Sequence, residues 1–289
     1  MSERLDQALR SRGLARSRTH AATLITDGLV SVDGIPTVKP SHPVAETAVI
    51  EVAGADHYVS RAAHKLIAAL DAFDVVVAGR HALDMGASTG GFTQVLRERG
   101  AEPVVAVDVG HDQLAPSIAA DARVVSVEGF NVRHMTPDGL AAASGIDDAP
   151  SIVTGDLSFI SLGHVLPAVA ATAAADADIV LLVKPQFEVG RTAVRGGLVT
   201  DAALRADAVS RVLWSAWDAG LGTHGVIASP LAGTHGNREY VVHLRHRASA
   251  ASAAARGAAR PRAVGDDDDP ASGNPTQWID TVDDLTGDR

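Results

Sequence analysis

The sequence predicts an α/β fold: a mostly parallel sheet of seven strands, covered by helices on both faces, with its last strand antiparallel. Three observations predict it. From Ser60 onward, apolar strand-like runs alternate with helical patterns, the rhythm of crossover units in a parallel sheet. The last two strand patterns have no helix between them. At His81–Thr93 an apolar run ends in Asp84, turns through Gly86, Gly90 and Gly91, and enters a helical pattern.

In chain order, a small module comes first. Leu5, Ala8 and Leu9 have helical spacing, and Gly13 ends that helix. Ser17 is placed to cap a second helix that runs to Asp27 and stops at Gly28. Two strand-like runs follow, Leu29–Val32 and Ala48–Val52, with Asp33-Gly34 as a turn after the first. This α+β module is expected over residues 1–53, and a linker over 54–60. The large domain is expected over 61–247, beginning with a helix at about 61–72. Its strands are expected at 81–85, 103–108, 123–127, 151–155, 178–183, 223–228 and 239–245. Helices are expected at about 90–99, 112–120, 161–174 and 201–219. Residues 248–289 collapse into Ala, Arg, Gly and Asp and are expected to form a disordered tail.

Composition narrows the class. The 289 residues are 46% hydrophobic, enough for a sizeable core, and contain no cysteine, so disulfides and thiolate metal sites are excluded. The N-terminus has no apolar signal-like stretch, and no apolar run approaches the roughly 18 residues of a membrane span. A soluble cytoplasmic protein is expected. The net charge of −10 does not advertise nucleic-acid binding, but residues 1–65 carry 8 Lys/Arg against 7 Asp/Glu, with Arg4, Arg10, Arg12, Arg16 and Arg18 clustered early. Local density matters more than total charge for a phosphate contact, because screening limits reach to about 10 Å.

The glycine turn suits a nucleotide-type cofactor: glycines let a ligand approach the backbone, and the following helix offers N–H groups. The spacing G-x-x-x-G-G departs from the dinucleotide pattern G-x-G-x-x-G. Asp108, ending the second strand, is placed to accept both hydroxyls of a ribose diol. Asp84 either orients the turn or receives a cationic group. The combination suits S-adenosylmethionine better than NAD.

Charged residues stand at the other strand ends. Asp156 follows one apolar run, Lys184 follows another, and Glu239 opens the last strand. An antiparallel last strand starts at the same edge where the parallel strands finish, so all three converge on the ligand-binding edge. Lys65, before the first strand, is a fourth candidate. Two readings of Lys184 stand: a structural ion pair with Asp156, or an amine tuned to take a proton from a weakly acidic hydroxyl.

These phrases carry a resemblance. Arg4-Leu5-Asp6, Gly13–Arg18 and Asp27–Gly34 resemble an S4 RNA-binding domain. The remainder resembles an FtsJ-type ribose methyltransferase. Tyr58–Leu66, Asp84–Thr93, Asp156–Leu162 and Lys184–Glu188 together are similar to the TlyA (hemolysin A) family of rRNA methyltransferases, over about residues 3–246. The resemblance implies a Rossmann-like class I methyltransferase fold. It implies a catalytic tetrad of Lys65, Asp156, Lys184 and Glu239 and no metal. It implies S-adenosylmethionine as methyl donor, held by Asp84, Gly86, Ser88, Gly90, Gly91, Phe92, Asp108, Asn131 and Asp156. The implied acceptor is the 2′-hydroxyl of cytidine in 16S and 23S rRNA, presented as rRNA or ribosomal subunits, with Arg4, Arg10, Arg16 and Arg18 on phosphates. Susceptibility to capreomycin and viomycin is the implied consequence. One departure is Gly129-Phe130-Asn131, where the family usually has Arg-Thr-Asn. Three rivals are a catalytically inactive RNA-binding assembly factor, a membrane-lytic protein and a base N-methyltransferase. The last usually carries Asn/Asp-Pro-Pro-aromatic where this chain has Asp156-Leu157-Ser158-Phe159.

Overall fold

The computed structural model describes residues 2–15, 17–26, 28–52, 57–190, 194, 196–233, 236–247 and 272–287. The chain divides into two units, residues 1–58 and 59–289.

In the first unit, β1 (Ser2–Arg4) leads into α1 (Leu5–Ser11) and α2 (Arg18–Thr26). The short strands β2 (Val30–Val32), β3 (Ile35–Pro36), β4 (Pro43–Ala45) and β5 (Ile50–Val52) follow. β1 pairs with β4, and a second sheet has the order β3-β2-β5. Leu5, Leu9, Ala21, Ile25, Val30 and Val44 form the core. The Ser17 hydroxyl accepts the His20 N–H at 3.1 Å, as its capping position requires. Strands β1, β3 and β4 were not legible: Ser2–Arg4, Ile35–Pro36 and Pro43–Ala45 lack the apolar–polar alternation of β2 and β5 and include prolines or charged residues.

The second unit opens with α3 (Ala63–Ala72), β6 (Ala82–Met85), α4 (Gly91–Glu98), β7 (Val104–Asp108), α5 (Pro116–Ala119) and β8 (Val124–Glu128). It continues with α6 (Pro137–Ser144), β9 (Ile152–Gly155), α7 (Leu166–Thr172), β10 (Asp178–Val183) and α8 (Pro185–Glu188). The long α9 (Ala202–Asp218), β11 (Leu221–Ala228), β12 (Tyr240–His246) and α10 (Ile279–Thr286) complete it. The seven-stranded sheet has the order β11-β12-β10-β9-β6-β7-β8. β12 runs antiparallel to both of its neighbours, while β10, β9, β6, β7 and β8 are parallel, as the strand pattern predicts. The central strands β6, β9 and β10 are buried along their whole length, which is why they read as mostly apolar runs.

Several expectations need correction. The helix expected at 112–120 shrinks to α5, because Pro116 can only begin a helix and Asp112 sits at φ +54°. The helix expected at 161–174 is a short 3₁₀ turn followed by α7, which starts just ahead of Pro167. α6 was missed: its Ala-rich sequence shows little periodicity, although Thr136 caps it and Gly145 ends it in the left-handed conformation. Val59 and Ser60, expected in the linker, belong to the second unit, where Val59 N–H donates to the Gln94 side chain at 2.8 Å.

The largest correction is the tail. Residues 248–271 lie outside the described residues, but residues 272–287 are ordered. Asn274 caps a 3₁₀ turn over Pro275–Trp278, and α10 follows. Val282 is buried in the main core, with Trp278 and Leu285 packed beside it. Those three positions are spaced i, i+4, i+7, one helical face, while Asp280, Asp283 and Asp284 take the other faces. Averaging over the whole acidic tail hid a short amphipathic segment.

Candidate active site

β6 ends at the carboxyl edge of the parallel strands and runs into the turn 86–90. Asp84 is sealed there: its two oxygens accept the hydroxyls of Thr93 at 2.7 Å and Thr154 at 3.0 Å. Burial pushes its pKa up to about 6 against the pull of those hydrogen bonds. Of its two expected roles, orienting the turn is the one this placement serves, because it bolts α4 and β9 to β6. Gly86 has φ +75°, and a Cβ there would stand 3.0 Å from the Asp156 carbonyl oxygen. Only glycine lets the turn pass so close to the end of β9.

Asp108 is gripped by backbone. Its carboxylate accepts the Ser88 N–H at 2.9 Å and the Gly110 N–H at 2.8 Å, one on each oxygen. Each oxygen keeps a further lone pair for a ligand hydroxyl. The adjoining groove is lined by Ala87, Ser88, Asp108, Gln113, Ser126 and Glu128, among others. Of the nine residues expected to hold the cofactor, Ser88 and Asp108 line this groove. The Phe92 ring is buried at the start of α4, and neither Phe92 nor Asn131 is among the residues lining this groove. The Asn131 side-chain oxygen accepts the Arg133 N–H at 3.0 Å and caps a single 3₁₀ turn.

The acceptor side is built from β9, β10, β12 and α3. The β10–β12 register sets Val183 opposite Tyr240, which brings Lys184 and Glu239 alongside each other. Glu239 pairs with Lys65 at 2.6 Å, and both side chains are almost fully buried. Lys184 pairs with Asp156 at 2.6 Å and donates to the Ser158 hydroxyl at 2.9 Å. The four residues therefore form two charge-neutral pairs. Lys184 and Glu239 line one cleft of about 240 Å³ together with Ser158, Phe159, Phe187 and Asn237. The Asp156 N–H donates to the Met85 carbonyl at 3.1 Å, so the partner of Lys184 abuts the start of the glycine turn.

Several contributors were not singled out from the sequence. Ser158 and Phe159 lay inside the phrase after Asp156. Phe159 is 92% exposed at φ +65°, with its ring centroid 5.3 Å from that of Phe187. A bulky residue with positive φ in an exposed loop is costly and points to use. Glu188 accepts the Leu162 N–H at 2.9 Å and the Ser161 hydroxyl at 2.5 Å, tying the Phe159 loop to α8; burial raises its pKa. Asn237 is buried, and its amide bridges the Val199 N–H and the Gly197 carbonyl.

In the first unit, Arg4 and Arg18 both grip Asp6, at 2.9 and 3.0 Å, while each remains about half exposed. The paired guanidiniums, Arg4 foremost, lower the Asp6 pKa to about 2. Arg10 is exposed on α1. Arg12 is taken up by the carbonyls of Ala45, Glu46 and Ala48. Arg16 lies outside the described residues. Among the described residues, no cluster of His, Cys, Asp and Glu could hold a metal ion, and no helix is long and apolar enough to cross a membrane.

Comparison with known proteins matches residues 58–246 to the FtsJ-like methyltransferase model and residues 3–50 to the S4 domain. The chain is 52% identical to the 16S/23S rRNA (cytidine-2′-O)-methyltransferase TlyA of Mycobacterium tuberculosis, over 84% of this chain and 89% of that protein. It is 37% identical to Hemolysin A of Brachyspira hyodysenteriae, over 83% of this chain and 99% of that one. A solved structure from Streptococcus thermophilus shares a TM-score of 0.67 at 36% identity, covering 85% of this chain and 88% of its own.

Proposed function

This chain belongs to the FtsJ-like methyltransferase family, and from that premise we propose that it methylates the 2′-hydroxyl of cytidine in 16S and 23S rRNA with S-adenosylmethionine as donor. The observation that carries the proposal is one cleft edged by Lys184 and Glu239, each held by an oppositely charged partner, with the partner of Lys184 abutting the start of the glycine turn. When bound, the donor supplies an electrophilic methyl on a sulfonium, which the ribose oxygen attacks in line. The side chains around Asp108 have the chemistry such a group needs. Asp108 keeps lone pairs for a ribose diol, Gln113 and Glu128 offer polar contacts beside it, and Ala87 and Leu114 supply apolar wall.

Lys184 first gives up to solvent the proton it holds in its pair with Asp156; the neutral amine then receives the proton that the hydroxyl loses, and Asp156 stabilises the ammonium so re-formed. Ser158 fixes the direction of the amine. Lys65 and Glu239 position the ribose, with Glu239 accepting from a sugar hydroxyl. Alignment of oxygen and methyl supplies much of the rate, since little covalent chemistry falls to the protein. Phe159 offers a face on which the base of a nucleotide entering the cleft can stack. The S4 domain supplies phosphate contacts through Arg4, Arg10, Arg16 and Arg18. This work belongs in the cytoplasm with the ribosome, and loss of the mark is expected to lower susceptibility to capreomycin and viomycin.

The direct test is mapping of 2′-O-methyl marks on 16S and 23S rRNA incubated with the protein and the donor. New donor-dependent marks on cytidine riboses are expected. Methylation on a base, or none on either subunit's RNA, would overturn the proposal. A liposome leakage assay addresses the hemolysin relative's name, and leakage by the intact chain would favour that second activity.

A further inference from the structure

Residues 272–287 lie beyond the segment shared with the methyltransferase model, yet they connect to the acceptor cleft at two points. At its near end, the segment lies along the edge strand β11: the Thr223 N–H donates to the Gly273 carbonyl at 2.8 Å. α10 then packs Val282 into the core against α9. Its last carbonyls meet two guanidinium groups. Arg205, itself buried, donates to the Thr286 carbonyl at 2.8 Å and to the Thr200 carbonyl at 2.6 Å. Arg238 donates to the Gly287 carbonyl at 2.8 Å. Cations at a helix C-terminus satisfy its orphan carbonyls and complement its dipole.

Both contacts lead into the cleft. Beyond Thr200, Val199 N–H and the Gly197 carbonyl are held by the Asn237 side chain, and both Gly197 and Asn237 line the cleft. Arg238 stands immediately before Glu239, the partner of Lys65. The end of α10 thus braces the 197–200 segment and the residues that deliver Glu239. The donor groove lies beyond β9 in the sheet, at β6–β8.

We infer that residues 272–287 are a C-terminal strap that positions the acceptor wall of the active site, through Arg205 and Arg238, without touching the reacting groups. The inference rests on the methyltransferase reading of the same cleft. Because Arg205 and Arg238 carry the strap to the acceptor side, it should govern turnover and leave donor affinity alone.

The test is Asp283→Pro in the full chain. Asp283 lies on an exposed face of α10, and proline there removes a helical N–H and clashes with the preceding turn. With rRNA saturating, kcat is expected to fall roughly tenfold or more, as a misplaced acceptor group would cause. The donor Kd, by calorimetry, should stay within twofold, and a peptide of residues 272–287 added in excess should restore part of kcat. Unchanged kcat in Asp283→Pro would overturn the strap, as would equal losses in kcat and donor binding. Hydrogen exchange on the unaltered chain gives a second reading that needs no variant. Amides of α10, of 197–200 and of 237–239 should open together; independent opening would overturn the proposal. Methyl transfer by the unaltered chain is the control: its absence sinks the functional reading, whereas its presence with an insensitive Asp283→Pro sinks the strap alone.

Discussion

The two halves of the site hold their charges by different means. On the donor half, carboxylates are held by short-range partners: Asp108 by two backbone N–H groups, Asp84 by two threonine hydroxyls. On the acceptor half, charge is held by charge. Lys65 meets Glu239 across a gap of 174 residues in sequence, and Lys184 meets Asp156 across the β9–β10 pair. Backbone donors survive any substitution but proline and cost no side-chain entropy, so Asp108 is preorganised by the fold itself. The acceptor half depends on long side chains whose geometry survives only while each partner is present.

The largest expected effect tests that difference at Lys184. Lys184→Ala should lower methyl transfer by about 10³-fold, within the range of a lost acid–base group, while donor affinity by calorimetry is unchanged. Substantial residual turnover would remove Lys184 from the reaction. Next comes the buried pair. Glu239→Gln strands the Lys65 ammonium in a dry site and should destabilise the second unit by about 3 kcal/mol. The double variant Lys65→Met with Glu239→Gln should recover most of that stability in denaturant titrations yet remain slow. Stability and activity recovering together would make the pair purely structural.

The same difference governs what could be read from the sequence. The donor half is local: strand, Gly86–Gly91, helix, then Asp108 at the next strand end, all within 27 residues from Ala82 to Asp108. Its periodicity and its glycines announce it. The acceptor half comes from four distant segments. Asp156, Lys184 and Glu239 were legible as charges at strand ends and Lys65 as a charge ahead of the first strand, with a Lys184–Asp156 pair as one of two readings; that Glu239 stands beside Lys184 depends on the register of β12 beside β10. Asn237 escaped notice because a buried amide bridging two loops has no sequence pattern. The resemblance assigns Phe92 and Asn131 to the donor; in the structure the Phe92 ring is buried at the start of α4 and the Asn131 side chain caps a 3₁₀ turn. α10 was lost because four apolar residues cannot be seen inside an acidic tail until α9 and β11 are there to receive them.

A smaller effect is expected on the donor half. Asp108→Asn keeps one carbonyl acceptor for backbone but loses the charge and the second acceptor. Losing one charge-assisted hydrogen bond, worth about 1.5–3 kcal/mol, should raise the donor KM by ten- to a hundredfold, with kcat at saturation close to that of the parent. A fall in kcat at saturating donor would instead mean that the turn transmits strain to Asp156 through Gly86.

The smallest effect lies in the first unit, where Asp6 is buried and held by Arg4, just ahead of α1, and by Arg18, the first residue of α2. Its pKa, lowered to about 2 from the usual carboxylate range, sets a sign. The unfolded carboxyl binds its proton near pH 4 and the folded one only near pH 2, so its stabilisation is complete above about pH 4 and is lost as pH falls toward about 2. Amide exchange of α1 and α2 should therefore quicken over that window in the parent and show less change in Asp6→Asn. The same variant releases two half-exposed arginines from a shared anion. If those arginines serve phosphates, Asp6→Asn should tighten rRNA binding slightly at low salt and steepen its salt dependence. Arg4→Ala should flatten that dependence by somewhat less than one unit of slope. An Asp6→Asn chain with unchanged salt dependence would show that Arg4 and Arg18 serve the fold of the unit and that RNA is held elsewhere.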